Sequence, residues 1–234
     1  MIYAAIVAGG TGSRMGADIP KQFLKLKNRE IIVHTVAAFE RSPLIDRIFV
    51  GVHSEWLDSL RDMCESAEID MKKVTAVSGG CDRSETLLNI ISAIQRTADI
   101  TDEDIILTHD GVRPFVTEKI ISDSIDALEF SDGVTAAICS TDTVLYSEDT
   151  LYVEDVLDRK NIFRAQTPQT FRLKKLIEAY DSLDVFQRSR LTDASSVFIS
   201  AGMPVGLVQG SETNIKITTP FDMKLAELIL ENNL

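Results

Sequence analysis

The chain has 234 residues, 44% of them hydrophobic and 26% charged, with a formal net charge of -12. That length and composition suit one α/β domain able to close its own core, and so acidic a balance argues against a nucleic-acid partner, which needs a basic face. No apolar run nears the roughly 18 residues that span a bilayer, so no membrane partner is expected; Cys64, Cys81 and Cys139 lack paired or metal-like spacing and predict a reducing cytoplasm without a zinc site.

In chain order, Ile2–Val7 is a short apolar run of the kind that forms a buried parallel strand. Ile32, Val33, Val36, Ala37 and Phe39 then recur at helical spacing. Arg47–Val52 predicts a second strand and Glu55–Glu65 a second helix. Val74–Gly80 reads as a third strand entering a glycine turn, followed by a helix over Thr86–Ile94 carried by Leu87, Leu88, Ile91 and Ile94. Asp104–Asp110 is the fourth strand, Glu118–Phe130 a helix and Gly133–Cys139 the fifth strand. This alternation predicts an α/β fold: one mostly parallel Rossmann-like sheet with helices on both faces.

From Thr141 to Asn161 the pattern changes to short β-prone runs around a polar turn. It predicts a β-arm inserted into the domain and suited to reaching a neighbouring subunit. Helical patterning returns over Leu173–Leu183, Ala194–Gly202 and Phe221–Leu230, with a strand at Val205–Val208. No repeat or low-complexity segment marks a boundary, so 1–234 is expected to be a single domain.

Gly9, Gly10 and Gly12 follow the first strand. A strand, a glycine turn and a helix are the general way to meet phosphate, because free backbone N–H groups face the anion and glycine permits close approach. Two familiar versions fail on spacing. A dinucleotide loop needs G-x-G-x-x-G and an acid at the tip of the second strand, but Gly10, Gly12 and Gly16 give the wrong last interval and that strand runs into "GVHSEW". A P-loop needs Gly-Lys-Ser/Thr, whereas Gly16 precedes Ala17 and Asp18. What remains is a pair of cations, Arg14 and Lys21, able to neutralise charge that develops on a transferring phosphoryl group.

Six blocks occur in order: "AGGTGSRMG…PKQFL", "GGCDRSET", "THDGVRPF", "AQTPQTF", "LTDAS" and "NIKITTP". Together, over nearly the whole chain, they resemble the IspD/TarI-type cytidylyltransferases, the methylerythritol 4-phosphate and ribitol 5-phosphate enzymes. The resemblance implies a nucleotidyltransferase-type fold, a homodimer built through the arm at about 141–161, and Mg²⁺ as cofactor. It implies transfer of CMP from CTP to a sugar-alcohol phosphate with release of pyrophosphate. It places Ala8, Gly9, Gly10, Thr11 and Gly12 on the nucleotide, with Arg14 and Lys21 at the α-phosphate. Gly80, Cys81 and Thr86 would meet the cytidine, Cys81 standing where the methylerythritol enzymes carry Asp. Asp110 would serve CTP, the acceptor and Mg²⁺. Arg113, Thr143, Arg159, Thr167, Thr192 and Lys216 would hold the acceptor, Thr143 and Arg159 from across the dimer. Arg159 and Lys216 would aim the nucleophile. His109 is expected to be structural, because a phosphate nucleophile is already ionised near neutral pH. A binding-only domain that has lost turnover would lack a loop cation, and both are present.

The acceptor divides the family. The Arg14-to-Lys21 interval and "GSETNIKITTP" look like the methylerythritol enzymes of isoprenoid synthesis. By contrast, "AGGTGSRMG", "THDGVRPF" and "LTDAS" look like the ribitol enzymes, whose CDP-ribitol serves wall or capsule polymers. Methylerythritol 4-phosphate is the expectation, resting on how widespread that enzyme is, with ribitol 5-phosphate as the alternative.

Overall fold

The computed structural model describes residues 1–10 and 19–232. Its elements in chain order are β1 (Ile2–Ala8), β2 (Lys25–Leu26), β3 (Arg29–Glu30), α1 (Ile31–Glu40), β4 (Arg47–Val52), α2 (Leu57–Ser66), β5 (Val74–Ser78), α3 (Arg83–Thr97), β6 (Ile105–Asp110), α4 (Glu118–Asp126), β7 (Gly133–Cys139), β8 (Val144–Tyr146), β9 (Asp155–Leu157), β10 (Phe163–Arg172), α5 (Leu173–Ser182), α6 (Val185–Ser189), α7 (Ala194–Ser200), β11 (Gly206–Gln209) and α8 (Pro220–Asn232). The main sheet has seven strands in the order β11-β7-β10-β6-β1-β4-β5. In it β1 is parallel to β4 and β6, β4 to β5 and β7 to β11, while β10 is antiparallel to both neighbours.

β1 and most of β4 are apolar, as is the first half of β6, because both faces of the sheet are covered there. Pleating sends Ala4, Ile6 and Ala8 into a cluster with Val36 of α1, Leu60 of α2 and Ile120 of α4. It sends Tyr3, Ala5 and Val7 into another with Ile90 of α3, Leu176 of α5 and Phe198 of α7. The chain steps outward from β1 to β4 and β5, then returns over α3 to β6 on the far side of β1. Strand order therefore reverses between β1 and β6, and the crevice at their carboxyl ends is where such sheets bind ligands. A smaller cluster of Leu26, Ile31, Val112, Ile217 and Ala226 seats α8. With the bond from Ile217 N–H to the Val112 carbonyl, 2.9 Å, it fixes the strap that carries Lys216.

Five elements depart from the sequence pattern. β10 fills the gap between β6 and β7, yet Gln166, Thr167, Gln169 and Thr170 within it are buried, and a hydropathy pattern passes over a strand whose interior side chains are polar. The β2–β3 pair and α6 are too short to leave a periodic signal. In addition, α3 begins at Arg83 rather than Thr86, because Asp82 caps it by accepting from Glu85 N–H at 2.8 Å. The expected arm is present as an antiparallel β8–β9 hairpin outside the main sheet, exposing Leu145, Tyr146, Leu151, Tyr152, Val153 and Val156. Among the described residues no helix is long and apolar enough to cross a membrane.

Candidate active site

At the carboxyl end of β1 the backbone of Ala8 and Gly10 is held by one side chain. Gln22, 2% exposed, donates its amide to the carbonyls of Ala8 (2.7 Å) and Gly10 (2.8 Å). Gln22 sits in a 3-10 turn, Lys21–Phe23, whose Phe23 ring stacks on Trp56 with centroids 4.1 Å apart. Lys21 is thereby anchored beside the glycine turn. The expected partners Thr11, Gly12 and Arg14 lie outside the described residues.

The second glycine loop closes against the first. A Cβ on Gly9 would lie 2.6 Å from Thr86 Oγ1, so only glycine fits there. Thr86 is fully buried; its Oγ1 accepts from Gly80 N–H at 3.0 Å and donates to the Asp82 carbonyl at 2.7 Å. This hydroxyl, expected at the base, shapes the Gly80 turn and keeps a second lone pair. Cys81 is exposed, its N–H donating to the Glu85 carboxylate at 2.7 Å. Hydrogen bonding to that carboxylate pushes the Cys81 thiol up.

Asp110, 7% exposed, stands at the tip of β6. Its Oδ1 faces Arg83 Nε at 3.4 Å, and its Oδ2 faces Arg113 Nε at 3.2 Å and Lys216 Nζ at 3.1 Å. The start of α3, the turn after β6 and the strap before α8 thus deliver three cations to one carboxylate. Burial by itself would raise the carboxyl. Arg83, then Lys216 and Arg113, outweigh it and hold Asp110 ionised well below the usual carboxylate range.

Behind Asp110 runs a buried series of hydrogen bonds. His109 Nε2 lies 3.0 Å from the Arg113 carbonyl, so it carries the proton, and Nδ1 accepts from the Thr167 hydroxyl at 3.0 Å. Thr167 in turn accepts from Asp110 N–H at 3.1 Å. The Thr167 hydroxyl is therefore taken up in aiming Asp110 and His109. Thr167, expected at the acceptor, also stands in the cavity wall.

His109 is structural, as expected, and burial pushes its imidazole down to about 4. The unfolded chain, titrating near 6.5, binds the extra proton first, so stability present at pH 7 is lost as pH falls through this window. Urea unfolding at pH 5 should give a free energy about 2 kcal/mol below that at pH 7 from this group. His34, also lowered by burial, adds in the same direction. An unchanged unfolding free energy over this range would show that His109 protonates freely in the fold.

In front of Asp110 opens a cavity of about 140 Å³ whose wall unites Asp110, Arg113, Thr167, Thr192 and Lys216. Thr143 and Arg159 do not join it. Both are exposed, and the Arg159 guanidinium donates to the Thr141 carbonyl at the base of its own arm, 3.2 Å. The wall also contains Arg83, Gln166, Gln169 and Asp193, which received no role from the sequence. Gln169 donates to Asp193 at 2.6 Å and accepts from Ala194 N–H at 3.1 Å, fixing the start of α7 against the cavity. A signal for these residues existed: each lies inside one of the matched blocks.

The sequence profile of IspD, 2-C-methyl-D-erythritol 4-phosphate cytidylyltransferase, matches residues 2–232. The chain belongs to the IspD family. A ribitol-5-phosphate cytidylyltransferase of Streptococcus pneumoniae is 40% identical to this IspD-family chain over 235 residues, with 100% of both covered. Among solved structures, a 4-diphosphocytidyl-2C-methyl-D-erythritol synthase from Anaerococcus prevotii gives a TM-score of 0.82 at 28% identity, covering 99% of this chain and 98% of that one. The IspD of Francisella tularensis gives 0.79 at 31%, covering 97% and 98%. This IspD-family protein is a CTP-dependent cytidylyltransferase on a Rossmann-like sheet.

The donors around Asp110 do not fit a divalent cation held by the protein. Both carboxylate oxygens face cations, and among the described residues no group of three or more His, Cys, Asp or Glu could hold a metal ion. Asp110, expected at Mg²⁺, is in the protein alone the counter-ion of Arg83, Arg113 and Lys216.

Proposed function

We propose that this IspD-family enzyme transfers CMP from CTP to ribitol 5-phosphate, forming CDP-ribitol and pyrophosphate. The observation that carries the acceptor is the 40% identity, over the whole of both chains, to ribitol-5-phosphate cytidylyltransferases. Identity to the solved methylerythritol enzymes is 28% and 31%. The cavity supports this reading. Gln166, Gln169, Thr192 and Asp193 line it, and Ala165 is the one apolar residue in its wall, a surface suited to a row of hydroxyls more than to a methyl branch. Methylerythritol 4-phosphate, favoured on prevalence alone, becomes the second reading, and the likeness of fold to its enzymes keeps it in the test.

In the proposed reaction a phosphate oxygen of the acceptor attacks the α-phosphorus of CTP. The bond from that phosphorus to the bridging oxygen breaks, and pyrophosphate leaves with the electron pair. Both partners are anions, so placement and charge neutralisation supply most of the catalysis. The turn from Ala8 through Thr11 and Gly12 would cradle the nucleotide, Arg14 and Lys21 would hold the α-phosphate, and the Gly80–Cys81 backbone would approach the cytidine. Lys216 and Thr192 would meet the acceptor, with Arg113 and Asp110 framing it. A divalent cation arriving with CTP would take its ligands from the triphosphate and water. The chain would act as one domain whose apolar arm pairs two copies, carrying Thr143 and Arg159 to the partner's cavity.

Pyrophosphate release measured with CTP, Mg²⁺ and each polyol phosphate in parallel tests the reading. The expected kcat/KM is about 10²-fold higher for ribitol 5-phosphate, because unpaired polar groups in the wall penalise the wrong acceptor. Equal or reversed preference overturns the acceptor. Silence with both overturns the polyol-phosphate reading.

A further inference from the structure

The cavity holds three cations, and a count of their donors separates them. Arg113 is committed to the fold: its Nε bonds Asp110 and its NH1 bonds the Asn214 carbonyl at 2.8 Å, with the residue 9% exposed. Lys216 directs its ammonium at Asp110 and keeps further N–H donors. Arg83 meets Asp110 through Nε alone, at a long 3.4 Å, and neither terminal nitrogen has a partner among the described residues. Its side chain is 22% exposed and lines the cavity. Asp110 and Asp193 are the two carboxylates in the same wall, so the three cations leave it net positive.

We propose that Arg83 is a further substrate-binding residue, whose two terminal N–H groups take two oxygens of the acceptor's phosphate while Nε remains on Asp110. A planar guanidinium fork matches two phosphate oxygens in a way that an ammonium cannot. The fork is also aimed in advance. Arg83 opens α3 immediately after the cap Asp82, and Thr86 three residues on ties the same turn to Gly80 N–H at 3.0 Å. Asp110 then holds the guanidinium by its inner nitrogen and turns the outer pair away from itself. Arg83 leads the charges that keep Asp110 ionised, so the tether persists across the neutral range. The inference rests on the polyol-phosphate reading above and changes one part of it. The phosphate fork inside a single chain is Arg83 rather than Arg113.

The test is steady-state kinetics of Arg83→Met, which keeps the aliphatic stem without donors, and of Arg83→Lys, which keeps the charge without the fork. The acceptor KM is expected to rise about 10- to 100-fold in the first and by a smaller factor in the second. The CTP KM should stay within about twofold, since the nucleotide's own phosphates are held elsewhere. An equal rise in the CTP KM would assign Arg83 to the triphosphate and overturn the proposal, as would an unchanged acceptor KM. Should Arg83→Met fail to fold, the wild-type protein gives a second readout through its arginine Nε–Hε resonances. The Arg83 signal, assigned by its absence from Arg83→Lys, should move on titration with acceptor and stay still with CTP; a signal unmoved by acceptor overturns the proposal. A wild type inert toward both polyol phosphates overturns the function and this role together, whereas an active wild type with an unmoved KM in Arg83→Met overturns the role alone.

Discussion

Asp110→Asn is expected to destabilise the fold by about 2–4 kcal/mol and to lower turnover by at least about 10²-fold. The amide keeps the size and one acceptor of the carboxylate, so the change removes the charge and little else. Arg113 then stands beside a neutral group with its side chain 11% exposed, where breaking a buried pair by removing one partner is costly. Arg83 and Lys216, at 22% and 41%, recover part of their hydration, which keeps the cost below that of three fully buried pairs. The sign with pH follows from the depressed carboxyl. Its stabilisation is complete above the unfolded value near 3.8 and fades as pH falls through the much lower folded value. Urea unfolding of the two proteins should therefore differ fully at pH 7 and less in strong acid. Equal stability at pH 7 would show that the three cations need no counter-ion.

The same cluster shows what a sequence can and cannot reveal. β1, β4 and the start of β6 are legible because a strand covered on both faces shows as an apolar run. β10 is illegible for the opposite reason: Gln169 belongs inside only because Asp193 and Ala194, far along the chain, satisfy it. Asp110, Arg113 and Lys216 sit within quoted blocks, and the fold brings them together. Thr86 and Thr167 also sit within such blocks, but a hydroxyl's partners are decided by tertiary neighbours: Gly80 and Asp82 for the first, Asp110 and His109 for the second. Arg83 lies ahead of the helix the sequence predicts, and a partner for it emerges only when β6 places Asp110 beside it. Residues that act through a partner distant in sequence leave no local pattern.

Lys21→Ala is expected to reduce kcat about 10²- to 10³-fold while the CTP KM moves by less than about threefold. The backbone turn after β1 would carry most ground-state binding of the phosphates, whereas negative charge on the α-phosphate is redistributed only as the acceptor oxygen arrives. A cation placed for that moment contributes mainly to the transition state. Placement is supplied by the neighbouring residue: Gln22 ties the 3-10 turn to the carbonyls of Ala8 and Gly10, so Lys21 cannot drift from the loop without breaking both bonds. Lys21→Arg should recover part of the loss, since the charge returns on a broader head that the same backbone does not centre equally well. Gln22→Ala should lower kcat by about tenfold with the lysine charge intact, through looser aim alone. If Lys21→Ala instead raises the CTP KM about 10²-fold and leaves kcat unchanged, the lysine binds substrate and transition state alike. The charge that drives the transfer must then come from elsewhere on the loop.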